Sequence, residues 1–190
     1  MIEIEGIEIP ALDGSALGFV NEIEKVGFEI LKKRKEFFCV PEEIKIFGKN
    51  NKSYIVLKPS SNFEVLYHFE PKRNLPKIID VTHYHYIHSP QNFKKFIAPC
   101  RTFCFKEDIE KIKTMGLGKG GNLENTLIID KDSTLNLPRN SHEPIGHKIL
   151  DLLGDLYVLG KFLNAKIEAK NTYHILNINL VKLLKKKYLN

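Results

Sequence analysis

The sequence has only three cysteines in 190 residues, Cys39, Cys100 and Cys104. So odd and sparse a set argues against a disulfide framework and fits a reducing compartment. No apolar run approaches the ~18 residues that a membrane span requires. The opening stretch, MIEIEGIEIP, lacks the basic region and apolar stretch of a secretory leader, so a cytoplasmic location is expected. The chain has no internal repeat and no low-complexity segment.

What is present is ordinary for a globular protein, with 43% hydrophobic and 27% charged residues. The net charge of +6 suits an anionic partner: nucleic acid, an acidic membrane or a phosphorylated small molecule. The chain is rich in Lys, Ile and Asn, so part of this basicity is compositional. The lysine-rich tail from Lys182 to Lys187 reads as the solvated face of a terminal helix whose Ile178, Val181 and Leu184 pack inward. It lacks the interleaved aromatics of single-strand binders, and no nucleic-acid partner is expected.

Pattern and punctuation set out the elements. Ile2 to Pro10 alternates like a short strand, and Asp13-Gly14-Ser15 is a turn whose serine caps a helix running to about Lys33. The basic cluster Lys32 to Lys35 suits that helix's C-terminus, and a domain boundary is expected near residue 35. Short strands follow at Phe37–Val40, Glu43–Phe47, Tyr54–Leu57 and Phe63–Phe69, then an extended stretch from Ile78 to His88. Pro90 to Phe96 reads as a short helix and Cys100 to Phe105 as a strand that puts Cys100 and Cys104 on one face as small buried thiols. A helix at Lys106–Met115, the glycine-rich loop Gly116–Asn122 and a strand at Thr126–Ile129 come next. A helix over Glu143–Leu159, a strand at Ala165–Lys170 and a terminal helix from Ile175 complete the chain. Strands in runs followed by helices indicate an α+β fold: a two-layer sandwich of helices on a mostly antiparallel sheet, with a small βαβ-like insert.

The strongest chemical signal is SHEPIGHKILDLLGDLYVLG. Ser141 is placed to cap this helix and Pro144 falls in its first turn. His147 and Asp151 are four apart, and Asp155 lies four further on the same stripe. The rest of the helix is apolar, and charges on a buried helix need pairing or a metal. A histidine and a carboxylate at this spacing can both reach one ion at about 2.0–2.2 Å. The spacing equally suits a buried polar pair satisfied by hydrogen bonds. His174 stands at a strand-to-helix junction, where Asp155 is placed to orient it for acid catalysis or electrostatic stabilisation; a capping role is the plainer reading. Thr102, an interior hydroxyl between Arg101 and Phe103, is placed to donate to an oxyanion. His83, His85 and His88 form a further cluster, read as an exposed aromatic strand rather than a second metal site.

Five segments, EIPALDGSALGFV, RTFCF, MGLGKGGNLENTLIID, HEPIGHKILDLLGDLYVLG and the His174–Asn177 element, resemble in order and spacing the UDP-3-O-acyl-N-acetylglucosamine deacetylase family of lipid A synthesis. The resemblance implies a zinc amide hydrolase of two α+β domains with the site between them. It implies that His147 and Asp151 are zinc ligands and that Lys148 contacts the substrate's diphosphate side. Thr102 would stabilise the tetrahedral oxyanion and Phe103 would pack on substrate. His174 would assist collapse of the intermediate, with Asp155 holding it. The stretch from Phe105 to Ile129 would line the acyl-chain passage. The partner implied is a UDP-linked acylated amino sugar, with peripheral membrane contact through its acyl chain.

The family's third zinc ligand and its general base lie upstream of the segment matching EIPALDGSA, and no residue here matches either. Residues 1–35 are therefore expected to end the first deacetylase domain and residues 36–190 to form the second, with the missing N-terminal half needed for a complete site. Gly146 stands where the family usually has arginine, and Tyr173 where a glycine usually precedes the histidine; a tyrosine there is expected to crowd the nucleotide pocket or change the backbone. The competing reading is a catalytically silent paralogue that binds UDP-linked lipid or a protein partner.

Overall fold

The structure is a computed structural model that describes residues 2–6 and 8–189. Its centre is a six-stranded mixed sheet built from β1 (Phe37–Cys39), β2 (Ile44–Phe47), β3 (Tyr54–Lys58), β4 (Phe63–His68), β5 (His83–Ile87) and β8 (Phe162–Lys170). The order is β2-β3-β8-β4-β5, with β1 parallel to the start of β8. β8 is the hub, antiparallel to β3 (Leu57 opposite Ile167) and parallel to β4 (Val65 opposite Ile167).

Alternation explains the layering. Ile55 and Leu57, Val65 and Tyr67, and Ala165, Ile167 and Ala169 all point to one face and are buried. The other face carries Tyr54, His68, Glu168 and His85, linked by polar contacts such as Tyr54 Oη to Glu168 Oε1 at 2.9 Å. Two helices close the apolar face: α4 (Glu143–Tyr157) and α5 (His174–Leu184). Ile145, Ile149, Leu152 and Leu156 of α4 meet Leu176, Leu180, Val181 and Leu184 of α5 over the sheet. These spacings are a helix's apolar stripe, and they leave His147, Asp151 and Asp155 on the flank turned away from the sheet.

A smaller unit projects beside this body. β6 (Thr102–Phe105) and β7 (Thr126–Ile129) pair in parallel, joined through α3 (Ile109–Thr114). That connection is the βαβ unit parallel strands need. Its own small core is Ile79, Leu127 and Ile129. Between β5 and β6, α2 (Pro90–Asn92) runs on as a π-helical turn over Phe93–Ile97. The fold is α+β as expected, with two of the five pairings in the large sheet parallel.

Several local expectations need correction. No described residue of the stretch 2–10 is in a strand, and Ile7 lies outside the described residues. Alternation makes a strand only when a neighbour offers a ladder, and here these residues pair with none. The first helix, α1 (Leu17–Val26), stops seven residues short of Lys33 because Gly27 takes φ +79 and returns its N–H to Ile23. The basic cluster Lys32 to Lys35 therefore ends no helix, and Val26 and Ile30 are exposed. The N-cap of α1 is Ala16 rather than Ser15, although Ser15 Oγ accepts from Leu17 N at 3.3 Å. Ser141 does not cap α4; the N-cap is His142, whose own N–H is taken by Asn140 Oδ1 at 3.1 Å. Cys100 precedes β6 in a turn, so it shares no strand face with Cys104; it is buried, whereas Cys104 is half-buried. Val181 and Leu184 do pack inward, with Lys182, Lys186 and Lys187 exposed. Among the described residues no helix is long and apolar enough to cross a membrane.

Candidate active site

The site is assembled where three segments converge on the outer flank of α4. The first is the turn before α1. Gly14 adopts φ +75, and a Cβ there would lie 1.8 Å from Asn125 O, so only glycine fits. This lets Gly14 O accept from Thr102 N (3.1 Å) and Ala16 N donate to Ala98 O (3.0 Å). Asp13 Oδ2 meets Arg139 Nη2 at 2.8 Å, locking the turn onto the body.

The second segment is the junction between β8 and α5. Asn171 takes φ +45, and its side chain bonds both Glu70 N and Glu70 O at 2.8 Å. Tyr67, buried in the core, accepts Thr172 N–H at 2.8 Å; burial pushes its hydroxyl up to about 12, so it stays protonated. Tyr173 follows in ordinary extended backbone (φ −147, ψ 157), so no glycine geometry is needed there. Its ring lies against the turn at Gly48 and Ser53, a contact with the β2–β3 hairpin.

The third segment is α4 itself. His147 Nδ1–H donates to Cys100 O at 3.1 Å, which fixes the tautomer and leaves Nε2 with a bare lone pair. Burial lowers the pKa of His147, against the pull of Asp151, and so favours the neutral ring. Its Nε2 stands 3.3 Å from Asp151 Oδ1. Two lone-pair atoms facing each other at this distance repel unless a proton or a metal cation lies between them, and burial works against the proton. An ion bound tetrahedrally at the usual zinc distances separates its ligand atoms by roughly 3.3–3.6 Å, which the pair matches. Nitrogen and oxygen donors, with a backbone carbonyl orienting the imidazole, suit zinc in chemistry as well. Among the described residues no group of three or more His, Cys, Asp or Glu could hold a metal, so the fit is that of two ligands.

The remaining expected residues fall around this pair. Lys148 Nζ donates to Asp151 Oδ2 at 2.8 Å and so lies on the carboxylate. His174 Nδ1–H donates to Asp155 Oδ2 at 2.8 Å, and its Nε2 lies 4.0 Å from Asp151 Oδ1. Thr102 is exposed rather than interior, and lines a cleft of about 510 Å³ with Asp151, Asp155 and His174. Pro10, Ala11 and Phe19 give the cleft an apolar part of its lining. Phe103 is half-buried edge-on to His147 and Phe69, with ring centroids 6.5 and 5.6 Å away. His83 and His85 are exposed on the far side of the sheet, where His85 Nε2 meets Glu64 Oε2 at 2.7 Å.

Sequence reasoning missed Glu143 and Asn177. Glu143, fully buried, takes Arg101 N (3.1 Å), Arg101 Nε (2.8 Å) and Arg139 N (2.7 Å), so it ties the strand bearing Thr102 to the helix bearing His147. An acid at the start of an apolar helix was the available signal, but its partner is 42 residues away. Gly146 is explained by packing: a Cβ there would lie 2.4 Å from Cys100 Sγ.

Residues 1–186 match the family model described as LpxC: UDP-3-O-acyl N-acetylglycosamine deacetylase. The chain is similar to the UDP-3-O-acyl-N-acetylglucosamine deacetylase of Syntrophus aciditrophicus, 37% identical over 97% of this chain and 58% of that protein. It is 40% identical to the protein of that name from Aquifex aeolicus, over 98% and 63%. For the one from Synechocystis sp. the figures are 37%, over 98% and 67%. The chain thus spans between 58% and 67% of the length of these relatives.

Proposed function

The chain belongs to the UDP-3-O-acyl-N-acetylglucosamine deacetylase family, and on that premise we propose that it carries the second half of a zinc-dependent amide hydrolase site that removes acetate from a UDP-linked, acylated amino sugar in lipid A biosynthesis. The observation that carries this reading is the neutral His147 Nε2 facing Asp151 Oδ1 at the edge of the cleft. Those two side chains would hold the zinc, which when bound polarises the amide carbonyl and lowers the pKa of water.

The chain's own residues supply the rest. Cys100 O holds His147 in the tautomer that leaves Nε2 free. The Thr102 hydroxyl, at the cleft wall, donates to the oxygen on which charge develops. His174, tied at Nδ1 to Asp155, keeps Nε2 towards the cleft and delivers a proton to the departing amine. The Lys148 ammonium, now on Asp151, serves the diphosphate side of the substrate. The apolar lining at Pro10, Ala11 and Phe19 accepts the substrate's uncharged groups. The third ligand and the base that activates water are assigned to a segment outside this sequence, which is consistent with the 58% and 63% coverage of two relatives. In this reading residues 1–35 belong with that first domain and residues 36–190 form the second.

The test measures zinc binding and acetate release from UDP-3-O-acyl-N-acetylglucosamine, for these 190 residues alone and with the preceding part of a relative supplied in trans. Zinc binding lost in His147→Ala, with acetate released only when both parts are present, is the expected result. Binding of the UDP-lipid without acetate release in either case would instead favour a silent binding protein.

A further inference from the structure

Asn177 lies on α5, one turn beyond His174, and is fully buried. Its Nδ2 donates to Asp155 Oδ2 at 2.8 Å. His174 Nδ1–H donates to the same oxygen, also at 2.8 Å. Asn177 Oδ1 is the one buried side-chain polar atom among the described residues that has no hydrogen-bond partner. Exchanging the amide's oxygen and nitrogen would not relieve this, because the carbonyl oxygen would then face the Asp155 carboxylate. The orphaned oxygen is therefore the consequence of aiming the NH2 group at Asp155. An apolar side chain of the same size would fold with less penalty at this position. A buried amide that is poor for folding and directed at one carboxylate oxygen points to a role in the site.

We propose that Asn177 is a positioning residue for His174, acting through Asp155. His174 is 69% exposed in its side chain, so packing does little to orient it. What orients it is a single hydrogen bond to Asp155 Oδ2. That bond is directional only if the carboxylate is itself held, and the Asn177 amide holds it from the buried side. With both donors on one oxygen, the carboxylate plane is set and Nδ1–H is held on Asp155, so that Nε2 faces the cleft, bare in the neutral ring and carrying the proton it delivers in the charged one. This rests on the reading of His174 as the cleft's proton donor, but the geometry can be tested without activity.

The experiment is a long-range 1H–15N correlation spectrum of the full 190-residue chain, 15N-labelled at histidine, at mildly alkaline pH and without zinc or substrate. His174 is expected mainly as the Nδ1–H tautomer, the less favoured form of a free imidazole. In Asn177→Leu the His174 signals should move towards the Nε2–H tautomer while the melting temperature stays unchanged or rises. A role in folding alone predicts the opposite: a lower melting temperature with the tautomer retained. Asn177→Ala provides the same readout should leucine not be accommodated. In an Asp155→Ala background, Asn177→Ala should change the His174 signals no further. Wild-type His174 signals in a folded Asn177 variant, or an undiminished effect without Asp155, would overturn the proposal. A chain that neither binds zinc nor releases acetate would leave this result standing, so the two readings fail separately.

Discussion

α4 carries two sets of charged groups with opposite characters. At its first turn Glu143 is fully buried, and every neighbour it needs is internal: Arg101 and the Arg139 backbone donate to it, while Arg101 Nη2 also donates to Leu137 O. One turn on, His147 and Asp151 are partly buried and present lone pairs to each other across 3.3 Å. The first set is closed, with no capacity left for a ligand. The second is open: Lys148 meets one oxygen of Asp151, and the other faces His147 Nε2 beside the cleft, where the proposed zinc would sit. Both hang on the same two residues, since Arg101 N serves Glu143 and Cys100 O holds His147. On one helix, the charge paired wholly inside the fold belongs to the architecture, while the pair left beside the cleft is the one the proposed function uses.

The largest expected effect breaks the closed set. Glu143→Ala leaves the Arg101 guanidinium buried without its carboxylate, a change that typically costs about 3–5 kcal/mol. It should lower the urea midpoint far more than Asp151→Ala does in metal-free protein, because removing Asp151 relieves a lone-pair conflict. Equal losses in the two variants would erase the distinction between the sets.

Next comes a ligand that only the open set can bind. Zinc at about 100 times its dissociation constant should stabilise the wild-type chain by roughly 2.7 kcal/mol. Melting curves with and without zinc should show this gain vanish in His147→Ala and Asp151→Ala. It should persist in Thr102→Val, which lies in the cleft but offers no ligand. A zinc effect surviving the loss of His147 would place the ion elsewhere.

The sequence makes the two sets unequally legible. The stripe at His147, Asp151 and Asp155 is read directly from helical periodicity, because its members are neighbours on one element. For His174 the residues favour a helix cap over a contact with Asp155; the contact is what forms, and Tyr173 is the N-cap. The Arg101–Glu143 pair is not legible, since nothing local links residues 42 apart in the chain. Asn177 has no role legible in the sequence, because only its buried, one-sided amide in the fold reveals one. Strand positions were read closely, β7 (Thr126–Ile129) to the residue, since alternation bounded by turn residues is a local signal. The C-terminus of α1 and the stretch 2–10 differ from the pattern, because the outcome there depends on a glycine's φ or on a strand partner.

A smaller effect couples the two sets through their shared residue. Gly146→Ala should gain the helix-propensity difference of about 1 kcal/mol but lose about 1–3 kcal/mol to overpacking against Cys100 Sγ. The Cys100 thiol, pushed up to about 12 by burial, stays uncharged and fixed beneath the helix. In a Cys100→Ala background the contact with Sγ is gone, leaving the Cβ of residue 100 at 3.3 Å and His142 Cδ2 at 3.4 Å, and Gly146→Ala should cost much less. A double-mutant cycle by chemical denaturation measures this. Additive effects would mean that α4 can shift without disturbing Cys100, and so that the carbonyl holding His147 is not rigidly shared.

The smallest effect is a pH dependence confined to the open set. Burial holds the pKa of His147 below its ordinary 6.5 in the folded chain, whereas the unfolded chain titrates near that value. Between the two, the unfolded state binds the extra proton, so stability must rise with pH and be lost as pH falls below 6.5. The pKa of His88, just beyond the edge strand and away from the site, is lowered too, by desolvation and Lys35, and adds a slope of the same sign. The difference between wild type and His147→Ala therefore isolates the site's share. Denaturation midpoints taken across this range should converge as the pH falls, because the wild type loses what the variant never had. Zinc should steepen the wild-type curve, since the ion and the proton compete for the same Nε2 lone pair. A variant that keeps the wild-type slope would show that His147 titrates alike in both states, and that its burial does not hold the ring neutral for a metal.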